Sequence, residues 1–141
     1  VSGPAGTRAT RDIILDVAER HFAERGFAGA SVRDIAADAG LKNQASLYHH
    51  FEHKRALYEA VLGRGLAPII EIVVASSAAD ATAGAGPARR IAPFLDPVID
   101  YLSEHPHLPR LLQRAALDDS RYLRSALERL LRPLYTEGVA V

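Results

Sequence analysis

Apolar residues recur near the start of the chain at helical spacing. Ile14, Val17, Ala18, His21 and Phe22 stand at i, i+3, i+4, i+7 and i+8, one stripe of an amphipathic helix. The pattern predicts a helix from about Thr7 to Arg25. Gly26 ends it and Phe27 folds back onto its last turn. Residues 1–6, small and glycine-containing, read as disordered. Val32, Ile35, Ala36 and Ala39 then predict a short second helix. Ser31 is its N-cap, with Asp34 three residues on. Gly40 closes it, and Leu41 tucks under its end. A third short helix, about Gln44 to Phe51, puts Leu47 and Phe51 on one side. Gln44, Ser46, Tyr48, His49 and His50 are left facing outward. Phe22 and Phe27 are expected to pack beneath these two short helices.

Beyond Glu52 the pattern lengthens. Leu57, Tyr58, Val61 and Leu62 predict a helix to about Val74, which Pro68 should kink or break. Ile69, Ile70, Ile72, Val73 and Val74 are apolar on nearly every side. Residues 76–87, SSAADATAGAGP, read as a small-residue linker. Ile91, Leu95, Val98, Ile99 and Leu102 restore a helical stripe over 88–105, in which Pro93 and Pro97 suggest a late start or a bend. Two more helices are expected, His107 to Ala116 and Asp118 to about Thr136, with Asp118 and Asp119 as an N-terminal cap. No strand-like alternation of useful length occurs. The fold class is all-α.

Composition narrows the function classes. The chain has 141 residues, 48% of them hydrophobic, and no cysteine. It is long enough for one medium domain or a module with a partner, and disulfides and thiolate metal sites are excluded. No apolar run approaches the ~20 residues of a membrane span, and the N-terminus lacks a signal-peptide core. A cytoplasmic location is expected. The formal net charge is zero, which argues against a generic polyanion binder. Residues 1–65 carry nine Lys or Arg and eight Asp or Glu. Any nucleic-acid contact must therefore rest on local charge, and Arg8, Arg11, Arg33, Lys42, Lys54 and Arg55 cluster around the two short helices.

A short helix that is apolar inward and polar outward suits a major groove. Asn43 and Gln44 can pair with adenine edges and Lys42 with guanine; the plain alternative is a solvated polar turn. The pair His49 and His53, at i, i+4, lacks the HExxH pattern and any cysteine, so no metal is expected. No nucleophile elbow, P-loop or dinucleotide turn is present, so no enzyme and no cofactor are expected.

Several ordered pieces resemble the helix-turn-helix of TetR-family transcriptional regulators: Gly26-Phe27, Ser31 to Ala36, Ala39-Gly40-Leu41, Leu47 to Phe51, then Lys54 and Leu57. The resemblance covers about Arg8 to Leu62. One departure is the seven residues between Gly40 and Tyr48, where the commonest family pattern has six.

The resemblance implies a DNA-binding unit over 7–53 and a helical ligand-binding and dimerisation domain over 54–141, with two further helices beyond the last residue. It implies a homodimer on palindromic double-stranded operator DNA, as a repressor released by a small-molecule effector. The DNA-contacting set would be Arg33, Lys42, Asn43, Gln44, Ser46, Tyr48, His49, His50 and Lys54. Phe94, Tyr101, His105 and Tyr122 are candidates to line the effector site. The alternative is a helical protein–protein interaction module that does not bind DNA.

Overall fold

The computed structural model describes residues 4–80, 87–118 and 120–139, with side chains described over 9–76, 95–118 and 120–134. The described residues form seven helices and no strand. They are α1 (Pro4–Gly29), α2 (Val32–Asp38), α3 (Gln44–Tyr48), α4 (Lys54–Asp80), α5 (Pro87–Glu104), α6 (Leu108–Asp118) and α7 (Ser120–Val139).

Helix α1 begins at Pro4, earlier than its apolar stripe suggests; a proline at the first helical position gives up no hydrogen bond. Gly26 interrupts it as expected, at φ 74° and ψ 176°, a region open essentially to glycine alone. Ser31 caps α2, its Oγ accepting from the Asp34 amide at 3.2 Å. The other end of α2 closes through Gly40 at φ 78°. There the Leu41 amide donates to the Ala36 carbonyl at 2.9 Å and the Gly40 amide to Ala37 at 3.1 Å. This pair of bonds satisfies carbonyls that a helix end leaves open.

The proline-based expectation for α4 is corrected. The helix runs unbroken through Pro68 to Asp80. A proline withholds one amide, but tertiary contacts hold the segment from outside. Leu62 and Leu66 are buried, and Tyr101 Oη donates to the Gly65 carbonyl at 2.9 Å. The buried Leu108 side chain occupies the place where any residue but glycine at 65 would have its Cβ. Helix α5 likewise carries Pro93 and Pro97 inside it. The expected linker is shortened: residues 76–80 belong to α4, and 81–86 lie outside the described residues. Asp118 is the last residue of α6 rather than a cap of α7; Asp119 lies outside the described residues.

One apolar cluster joins both halves of the chain. Ile14, Ala18 and Phe22 of α1 meet Ile35, Leu47, Leu57 and Leu62, and then Leu108 and Leu111 of α6, all fully buried or nearly so. The aromatic rings also reach beyond the short helices. Phe22 and Phe27 pack with Tyr58 of α4, at 4.8 and 5.0 Å between centroids, and Phe27 continues to Tyr122 of α7 at 4.8 Å. They thus tie α1 to α4 and α7 instead of lying only beneath the short helices. Polar links run the same way. Glu59 of α4, almost fully buried, takes Arg55 and Arg129 of α7, each at 3.1 Å. Arg114 of α6 donates to the Glu24 carbonyl of α1 at 2.9 Å.

Candidate nucleic-acid interface

Helices α2 and α3 are joined by Ala39 to Asn43; α2 packs on α1, and α3 packs on α2. Leu47 is fully buried and Phe51 nearly so, so α3 is pinned by its inner side. It is shorter than the apolar spacing suggests. It ends at Tyr48, and the His50 and Phe51 amides both turn back to the Leu47 carbonyl. His49 and His50 thus lie on the turn after the helix.

The start of α3 falls at Gln44 because Asn43 caps it. Asn43 Oδ1 accepts from the Ser46 amide at 3.0 Å and from Ser46 Oγ at 3.2 Å. A side-chain oxygen at this position satisfies one of the amides a helix start leaves open. Asn43 and Ser46 are therefore locked to each other, and Asn43 is first of all a cap. Gln44 Nε2 donates to Tyr48 Oη at 3.4 Å along the exposed face. Arg33, Lys42, Gln44, Tyr48 and His49 are exposed; Ser46, His50 and Lys54 are half-buried. All nine lie within α2, α3, their turns or the first residue of α4.

The cations are held by rings. Lys54 Nζ lies 4.7 Å from the centroid of the Phe27 ring, and burial pulls its pKa below the usual lysine value. The Arg11 guanidinium lies 4.8 Å over Phe51, and that of Arg55 lies 5.3 Å over Tyr122. Such contacts stabilise a cation while leaving its edge open to an anion.

Two features have no local signal in sequence. His21, buried on α1, meets Asp38 Oδ2 through Nε2 at 2.7 Å, and Arg20 meets the same oxygen at 3.1 Å. Asp38 thereby fastens the end of α2 to α1 across 17 residues. The second is His53, whose Nδ1 accepts from the Ala56 amide at 3.0 Å. Its position, three residues before Ala56, marks it as the N-cap of α4; its residue type, outside the usual capping set, hides it.

The residues expected to line an effector site separate. Tyr101 and His105 stack at 4.3 Å and share a cleft of about 290 Å³ with Asp16, Glu19, Arg64 and Pro68. Burial, and then the Glu19 carboxylate, push the Tyr101 phenol pKa up, against an opposing effect of Arg64. Tyr122 lies in the aromatic cluster with Phe27 and Tyr58. Phe94 lies outside the residues whose side chains are described.

A bundle that carries a capped helix–turn–helix, with a polar outer face and cations at its rim, defines a helix-turn-helix protein. Residues 14–61 match the sequence model of the family described as bacterial regulatory proteins, tetR family. Over this segment the chain is similar to that family. The HTH-type transcriptional repressor KstR2 of Rhodococcus jostii (strain RHA1) is 44% identical over 61 residues, which are 43% of this chain and 28% of that protein. The match thus spans well under half of that relative. A tetR family transcription regulator from Shewanella sp. PV-4 has a crystal structure that superposes with a TM-score of 0.68 at 20% identity, over 89% of this chain and 65% of that one. SCO4942 from Streptomyces coelicolor superposes with a TM-score of 0.62 at 25% identity, over 90% of this chain and 66% of that one. The fold therefore extends beyond the family segment into the C-terminal helices.

Proposed function

We propose that this chain is a sequence-specific DNA-binding transcription regulator, a repressor released by a small-molecule effector. The carrying observation is the outer face of α3. It presents Gln44 and Tyr48 to solvent, with His49 exposed on the turn that follows and Arg33, Lys42 and Lys54 on the flanking elements, on a helix whose inner side is buried. Support comes from KstR2, which is named a transcriptional repressor. Gln44 is the best reader of a base edge, since the first residues of a recognition helix face the bases. Lys54 and Tyr48 are phosphate anchors, which position the protein without specifying sequence. His50, Ser46 and Asn43 support them. The family consists of regulators rather than enzymes, and no helix of the described residues is long and apolar enough to cross a membrane.

The reading unit is assigned to residues 7–53 and the regulatory part to 54–141. A homodimer on a palindromic operator fits the apolar residues of α4 and α7 that this chain leaves partly open. Val74 and Leu134 are each more than a third exposed. They line a groove of about 330 Å³ with Ile70 and Leu130. The effector is placed at the Tyr101–His105 cleft. Retention on duplex DNA at low salt, lost at high salt, tests the DNA reading. Failure to retain DNA at any salt would favour a helical adaptor.

A further inference from the structure

His53 ends the turn that links α3 to α4, and Lys54 follows it directly. Its ring is the side-chain cap of the longest described helix, with the Ala56 amide donating to Nδ1 at 3.0 Å and the Leu57 amide to the backbone carbonyl at 3.1 Å. The usual caps offer oxygens that accept at every pH near neutrality. An imidazole nitrogen accepts only while it holds a free lone pair. The bond therefore fixes both the charge and the tautomer: a neutral ring, Nδ1 bare, the proton on Nε2.

We propose that His53 is a positioning residue for the Lys54 phosphate anchor and makes DNA binding by this chain sensitive to pH. The inference rests on the DNA reading above. With the ring neutral, the first turn of α4 is closed, and the Lys54 ammonium is held against Phe27. Protonation puts an N–H where the acceptor was and frees the Ala56 amide. It also sets a cation at a helix end whose partial charge is already positive. The charged and titratable groups around this turn are Glu52 beside it, Lys54 and Arg55 on α4, His49 and His50 after α3, and Arg11 of α1 on the Phe51 ring. Most are cationic or become so in acid, so they add to the repulsion. Protonating His49, His50 or His53 itself also places a cation near phosphate, which strengthens binding, so the contribution of the cap is sought at high salt, where that gain is smallest. The loss of the cap is thus read as a deficit relative to a protein whose cap does not titrate.

The test uses the whole chain and a random duplex pool at the highest salt that still permits retention, where the general charge effect is smallest. The ratio of affinities at about pH 5.5 and about pH 8, on the acid and alkaline sides of neutrality, is measured for the wild type and for H53N and H53A. Asparagine caps without titrating. The wild type is expected to lose about fivefold on acidification relative to H53N, the ratio an N-cap is worth. H53A should show no such deficit, because it has no cap to lose. In parallel, nitrogen NMR of the unbound chain should show the Nε2–H tautomer at His53, with an Ala56 amide shift that follows its titration. A wild-type ratio equal to or above that of H53N overturns the proposal, as does an Ala56 amide indifferent to pH. If no protein retains DNA at either pH, the DNA reading itself fails and this role with it, while the NMR result still reports whether the cap exists.

Discussion

At Lys54, burial and binding pull in opposite directions. The ammonium sits on the Phe27 ring, and burial lowers its pKa from the usual 10.5. The unfolded chain therefore holds this proton more tightly than the folded one, so stability should rise as pH climbs through the folded value toward about 10.5. The side chain is largely hydrated, which keeps the effect small. Lys54→Gln should abolish that rise without lowering Tm near neutral pH, as thermal melts across alkaline pH would show. Lys54→Ala should weaken binding to all duplexes alike and flatten the salt slope by about one unit; a changed base preference with an unchanged slope would remove Lys54 from the phosphate anchors. Gln44→Ala should instead relax preference at one base pair per half-site, since a bidentate amide–adenine pair discriminates by ~1–3 kcal/mol. Specificity profiles of Gln44→Ala and His49→Ala separate the two candidate readers. The residue types and positions of these groups are legible in the sequence, because turn and cap chemistry is local. Asp38, held by Arg20 and His21 from another helix, is not legible, because nothing within a few residues signals the pair.

Among the elements, the short ones follow the sequence more closely than the long ones. Ser31, Gly40 and Asn43 act through bonds that span three to five residues, so the limits of α2 and the start of α3 can be read directly. The longer loop does not blur that start, because Asn43 fixes it with two bonds to Ser46. Asn43→Ala should cost about 1 kcal/mol, in the ordinary range for an N-cap, and weaken binding to every duplex as α3 frays; chemical denaturation alongside a binding titration would show both. Gly26→Ala should cost roughly 1–3 kcal/mol, because its backbone lies in a region closed to other residues and a Cβ there would stand 2.9 Å from the Asp118 carboxylate. An unchanged denaturation midpoint would contradict that backbone conformation. The long helices overrode their prolines for a non-local reason. Tyr101 and Leu108, some 40 residues downstream, hold α4 across Pro68, and a helix propensity cannot report contacts of that range.

At the scale of the molecule, the apolar cluster binds the reading helices to α6 and α7, so the two assigned parts share one core rather than meeting at a seam. Partly exposed apolar residues remain at the ends of α4 and α7, and contiguous patches of this kind mark interfaces. The intact protein should be a two-fold homodimer; light scattering that finds a monomer at micromolar concentration would contradict this. Two reading helices related by a two-fold axis would meet two half-sites in inverted order. The most direct measurement is therefore a selection of bound sequences from random duplex DNA. Enrichment of an inverted repeat whose retention falls steeply with salt is expected; recovery of the input pool with no shared motif, even at low salt, would contradict sequence-specific binding by a two-fold dimer.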